Sequence, residues 1–166
     1  TDLADTVGAA FIGLTVACAR CHSHKFDPIS HRDYFSLQAV FAESKISEIE
    51  IAPNKFKMKI LSSKEKIPET HILLRGELST PGPKVAPAAL TNLIQGESFD
   101  KNLNPRTSLA KWITKNENPL TARVIANRIW QWHFGTGLVE TSNNFGLQGE
   151  KPSHPELLDW LASELT

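Results

Sequence analysis

The chain has 166 residues, 40% of them hydrophobic, and 18 Lys and Arg balance 18 Asp and Glu to a formal charge of zero. That composition excludes intrinsic disorder, and the neutral balance excludes the strong basic footprint of a nucleic-acid or anionic-membrane binder. No apolar run approaches the roughly 18–20 residues of a membrane span.

Leu3, Val7, Ala10, Phe11, Leu14, Cys18 and Cys21 recur at spacings of three and four, which predicts one amphipathic helix carrying both cysteines towards its end. Phe26-Asp27-Pro28 breaks it, because proline cannot continue a helix. A second helix is expected from Ser30, with Asp33 completing a capping box and Tyr34, Leu37, Val40 and Phe41 as its apolar face. Lys55, Lys57 and Lys59 alternate with Phe56, Met58 and Ile60, the period of a half-solvated strand with a basic outer face and Met58 on its core side. Thr70 to Leu74 is a second strand, and residues 79–89, with three prolines, read as an extended connector and a domain boundary.

The last third is helical again. Ser108 is placed to cap a short helix through Leu109, Trp112 and Ile113, and Pro119 suits the first turn of the next one, which Gly135 closes. Residues 135–152 hold four glycines and read as a loop. A final helix starts at Ser153, with Glu156 completing its capping box. It runs to Thr166 without a capping Gly or Asn, and the chain lacks an initiator Met, so it reads as an internal fragment of a larger multidomain protein. The expected fold is mainly α with a small β element in the middle.

The two cysteines of the chain fall in Cys18-Ala19-Arg20-Cys21-His22, the C-x-x-C-H pattern of covalent c-type haem attachment. Thiols one helical turn apart reach the two vinyl groups on one porphyrin edge, and the adjacent histidine ligates the iron. Two other readings stay open. Cys18, Cys21, His22, His24, Asp27 and His31 crowd together, and a non-haem site on Cys18, Cys21, His24 and Asp27, with His22 as the alternative imidazole, would suit zinc or another divalent metal. Alternatively the thiols form a local disulfide or a buried pair, and the region is a structural or interaction module with no cofactor. A cytochrome also needs a sixth ligand, for which Met58, His24, His31, His71 and His133 are the candidates, each with an ordinary structural reading beside it.

Gly13 to Ile29, followed by Asp33-Tyr34, resembles the C-terminal end of the planctomycete cytochrome C-like (PSCyt) domain. Asn118 to Gln131, Phe134 to Val139, Asn144-Phe145-Gly146 and Pro152 to Leu161 resemble the start of a planctomycete-specific PSD domain. The joint between them, including Thr70 to Leu73 and Arg75-Gly76, is similar to the family's connector. The resemblance divides the chain into 1–45, 46–106 and 107–166. It implies a secreted or periplasmic protein with haem c on Cys18 and Cys21 and iron on His22, working with a redox partner or with other domains of its own chain. Two departures stand out: Ser23 replaces a common Asp, and Asn144 replaces a common acidic residue.

Arg123, Asn127 and Arg128 lie at helical spacing beside Trp130, Trp132 and His133. They could face a ligand or haem propionates, but arginines bonding to loop carbonyls and tryptophans filling a core explain them as well. His154 beside Pro155 reads as part of a helix start. No G-x-S-x-G, phosphate loop or H-E-x-x-H is present, so the sequence offers no catalytic mechanism.

Overall fold

The computed structural model describes residues 2–52, 55–93, 99–100 and 102–166. Among them, α1 (Asp2–Val7), α2 (His31–Ala39), α3 (Pro105–Ile113), α4 (Thr121–Phe134) and α5 (Pro155–Ser163) combine with two small antiparallel sheets. β1 (Ser44–Ile51) pairs with β2 (Phe56–Ser63), and β3 (Thr70–Leu73) pairs with β4 (Pro81–Val85). The fold is mainly α with a β element in the middle, as the patterning predicts. No helix among the described residues is long and apolar enough to cross a membrane.

The first helix departs from expectation. α1 ends at Val7, and a wider π-helical turn (Gly8–Ile12) follows. Gly13 then reverses the chain at φ 64°, in the left-handed region that glycine adopts without strain. A Cβ there would lie 2.7 Å from Val124 and 2.9 Å from the Phe145 ring. Helix resumes only as a 3₁₀ turn, Val16–Arg20. The apolar spacing is present, but long-range packing at Gly13 cuts the helix in two. Ile12, Leu14, Val16 and Ala19 are buried, whereas Cys18 and Cys21 turn out to solvent.

α2 forms as its sequence dictates. Ser30 Oγ accepts from the Asp33 amide at 3.0 Å, and Asp33 Oδ2 accepts from the Ser30 amide at 2.9 Å. Tyr34, Phe35, Leu37 and Val40 are fully buried. Residues 79–89 are no free connector: Pro81–Val85 form β4 and put Val85 into the core, the Ala88 amide donates to Ser36, Thr91 Oγ1 just beyond donates to Asp33 at 2.9 Å, and Ala89 and Leu90 are buried.

The β1–β2 hairpin corrects a second expectation. Lys57 and Lys59 stand directly across from Glu50 and Glu48, so the charged face is neutral rather than basic. Such opposed charges support a two-stranded ribbon. Lys55 lies outside the strand, at φ 53°, and Met58 is 40% exposed and pairs with Ile49 instead of entering the core.

Helix starts in the last third also shift. Asn104, not Ser108, caps α3, its side chain accepting from the Arg106 amide with Pro105 in the first turn. Asn118 Oδ1 accepts the amides of Leu120 and Thr121, which moves the start of α4 beyond Pro119. Gly135 closes α4 as expected, at φ 86°. The capping box at Ser153 does not form, because both its amide and its hydroxyl donate to the Leu138 carbonyl, and α5 begins at Pro155.

Apolar burial falls into two clusters. One joins α1, α2, the 3₁₀ turn, β4 and α3; the other joins α4, α5 and the loop between them through Ala126, Leu138, Val139 and Leu158. Trp112 is core, but Trp132 is 77% exposed, and Trp130 and Phe134 line an open recess of about 350 Å³ between α4 and α5. Of the two tryptophans expected to fill the core, Trp130 packs half-buried against the second cluster, whereas Trp132 does not.

Candidate functional site

The Cys18–His22 turn is the one chemistry-bearing motif that the sequence singles out, and its local geometry follows from the 3₁₀ conformation. Three residues per turn bring positions i and i+3 into one column. Cys18 lies inside that turn and Cys21 is its C-cap, so the two thiols sit three positions apart at its end. Both are exposed and neither forms a disulfide. The disulfide and buried-pair readings therefore do not describe this structure.

His22 is exposed and its Nδ1 lies 2.6 Å from the Ser23 carbonyl oxygen. A carbonyl only accepts, so the proton is on Nδ1 and the lone pair on Nε2 faces outward. An imidazole held through one nitrogen with the other open is the usual state of a metal-ligating histidine. Ser23 Oγ in turn accepts the His31 amide at 3.2 Å, and His31 Nε2 donates to the Arg20 carbonyl at 2.9 Å. His31 thus braces the backbone of the turn.

His24 is built differently. Its side chain is 5% exposed, and Nδ1 accepts two amides, from Phe26 at 3.2 Å and Asp27 at 2.9 Å. Nε2 must then carry the proton, and it donates to Thr15 Oγ1 at 3.2 Å. Neither ring nitrogen has a lone pair to spare. Asp27 is also buried; Oδ1 accepts the Leu147 amide at 2.7 Å, while Oδ2 lacks a hydrogen-bond partner and lies 3.6 Å from His24 Nδ1. His24 and Asp27 face inward, away from the exposed thiols, so the structure does not bring Cys18, Cys21, His24 and Asp27 together. Among the described residues no group of three or more His, Cys, Asp or Glu side chains is arranged to hold a metal ion.

The remaining candidates have structural partners. Arg128 donates to the carbonyls of Ala9 and Ala10 at 2.7 and 2.5 Å, where a cation complements the carbonyl end of a helix. Arg123 pairs with Asp159 at 2.6 Å. Asn127 is fully buried and exchanges two hydrogen bonds with the Val139 backbone. The Asp159 carboxyl is held below its ordinary range, chiefly by the hydrogen bond from Arg123. His133 bonds to the Ile129 carbonyl, His71 lies 4.0 Å from Glu69, and His154 lies 3.1 Å from Ser153 Oγ.

Sequence reasoning misses three residues around the motif. Thr15 staples His24, Ser23 orients His22, and Gly76 presses on Cys21, where a Cβ would lie 2.9 Å from Sγ. The Gly76 contact has a faint signal in the Arg75-Gly76 pair, both at positive φ. The other two have none, because neither a hydroxyl-to-ring contact nor a backbone carbonyl-to-ring contact follows a periodicity.

Two family models match the chain. Residues 1–46 match PSCyt2, described as a protein of unknown function (DUF1549), and residues 105–166 match PSD1, described as a protein of unknown function (DUF1553). No curated protein and no solved structure matches.

Proposed function

In a chain built from a PSCyt2 segment followed by a PSD1 segment, we propose that the Cys18–His22 turn attaches haem c covalently and that the protein is an extracytoplasmic, cytochrome-like electron carrier. The observation that supports this reading is the donor set itself: two free, exposed thiols three positions apart at the end of one 3₁₀ turn, followed by an imidazole whose Nδ1 is tied to Ser23 and whose Nε2 is open. Each residue present fits the group. Cys18 and Cys21 would each add S–H across a vinyl double bond, the sulfur bonding to one carbon and the hydrogen passing to the other, so no oxidant is consumed. His22 would offer Nε2 to the iron, and the Ser23 carbonyl, by accepting from Nδ1, makes that nitrogen a better donor. Haem bound in this way supplies one-electron transfer. The chain's own part is to hold the thiols together, fix the imidazole and exclude competing ligands such as His24, whose nitrogens are both engaged. A redox partner, or another domain of the same chain, would take the electron.

The test is an absorption spectrum and metal analysis of the full-length protein, produced where haem-attachment machinery is present. A Soret band that survives acid–acetone extraction, with one iron per chain, is expected. A colourless protein with stoichiometric zinc would overturn the cytochrome reading in favour of a site on Cys18, Cys21 and His22, since His24 and Asp27 would first have to give up their bonds. A protein with neither would leave the turn structural.

A further inference from the structure

We infer that His24 and Asp27 are positioning residues for the Cys18–His22 turn, and that loop 143–147 of the PSD1 segment completes their hold, so that the site carried by the PSCyt2 segment is built from both segments. The inference rests on the haem reading only for what the turn carries.

The clamp can be followed atom by atom. Thr15 immediately precedes the 3₁₀ turn, and its carbonyl accepts the Cys18 amide at 3.1 Å. Its hydroxyl meets His24 Nε2, two residues after His22, so one imidazole closes both ends of the segment that carries the thiols. The same ring accepts the amides of Phe26 and Asp27, which fixes the chain that leaves the turn. Asp27 then carries the hold across to the PSD1 segment, where the Leu147 amide donates to its carboxylate at 2.7 Å. Gly146 lies flat against that carboxylate, and any Cβ there would overlap it.

Loop 143–147 also grips the chain ahead of the turn. The Phe145 amide donates to the Gly13 carbonyl at 2.6 Å. Asn143 Oδ1 accepts from Arg128, whose guanidinium also binds Ala9 and Ala10. One loop, about 120 residues distant in sequence, thus brackets the motif from both sides. Asp27 shows that this arrangement is not simply favourable packing. A buried carboxylate that leaves one oxygen unpaired destabilises a fold, and such groups concentrate where placement matters more than stability.

The experiment compares full-length wild type with Asp27→Ala, Asp27→Asn, Gly146→Ala and, as a distant control on the exposed face of α4, Trp132→Ser. Two readouts are taken: hydrogen exchange of segment 14–24 relative to α2, and the reduction potential and ligand-field bands of the loaded protein. Asp27→Ala and Gly146→Ala are expected to speed exchange in 14–24 by about tenfold or more, the factor equivalent to one lost hydrogen bond to a charged group. They should also shift the potential and spectrum while covalent haem is retained. Asp27→Asn, which keeps an oxygen for the Leu147 amide, should recover most of the protection, and Trp132→Ser should change neither readout. Unchanged exchange and spectrum in Asp27→Ala and Gly146→Ala overturn the inference even if haem is bound. A haem-free wild type overturns the haem reading instead, and the exchange comparison still decides the clamp. Should α2 also lose protection in a variant, Thr15→Val removes only the contact to His24 and decides by the same measurement.

Discussion

Replacing Asn127 by alanine tests whether α4 holds its following loop through polar pairing. The side chain is completely buried and acts as a stretch of strand: Oδ1 accepts the Val139 amide at 2.8 Å and Nδ2 donates to the Val139 carbonyl at 3.0 Å. Val139 is itself buried, so water cannot replace either bond. Leaving a buried donor and a buried acceptor unpaired costs about 1–3 kcal/mol each, so Asn127→Ala should lose about 2–6 kcal/mol. At this chain size each kcal/mol corresponds to about 2–4 °C, which puts the fall in Tm between about 4 and 24 °C. Urea unfolding followed by circular dichroism gives the free-energy difference directly. Asn127→Asp should be at least as damaging, since it keeps the acceptor but aims a carboxylate at the Val139 carbonyl. A loss below about 1 kcal/mol for Asn127→Ala would refute the reasoning, because it would mean the loop re-pairs or admits water.

Gly13→Ala should cost about 2–4 kcal/mol in the same assay, combining the left-handed backbone with a Cβ 2.7 Å from Val124. Arg128→Met keeps the apolar stem but removes the bonds to Ala9, Ala10 and Asn143, and a loss of about 2–3 kcal/mol is expected. Arg128→Lys should recover less than half of it, since a point charge cannot fork to two carbonyls. The Arg123–Asp159 pair is exposed, so Arg123→Ala should cost no more than about 1 kcal/mol at pH 7. The folded Asp159 pKa lies below its ordinary 3.8, so the pair's contribution is present above that value and lost as pH falls through the depressed one. Parallel urea titrations at neutral and acidic pH should show the difference between wild type and variant closing in acid.

What the sequence discloses is what local chemistry decides. The Ser30–Asp33 box and the Gly135 stop each depend on neighbours within a few positions, and each is found. The break at Gly13 is invisible to periodicity, because the side chains that crowd Gly13 are Val124 and Phe145, more than a hundred residues away. The same applies to His24 and Asp27. Their nearness to the cysteines in sequence suggests a shared metal site, whereas the backbone turns them inward to Thr15 and Leu147. Strand β1 escapes notice because its charges read as a solvated run until the facing lysines of β2 are known. Trp132 shows the limit of composition: large aromatic residues are mostly buried, yet this one lies on the outer side of α4.

The division of the chain by family match is not the division of its core. The PSD1 match begins at Pro105, but α3 puts Leu109, Trp112 and Ile113 into the cluster that also holds Ile12, Val16, Ala19 and Phe35. Fully burying side chains of this size is worth about 1.5–3 kcal/mol each, so the three together supply about 5–9 kcal/mol. That is comparable with the whole stability of an ordinary domain, about 5–15 kcal/mol. A piece ending at residue 104 should therefore lose cooperative unfolding and the near-ultraviolet signature of packed aromatics, even though it retains every residue of the PSCyt2 match. A piece ending at residue 117 should recover the core around the 3₁₀ turn but not its clamp, since Arg128, Phe145 and Leu147 are still missing. Comparing the two with the full chain by thermal unfolding and by hydrogen exchange of 14–24 separates packing from positioning. If the 104-residue piece unfolded cooperatively at the temperature of the full chain, α3 would be a bystander and the first core would close without it.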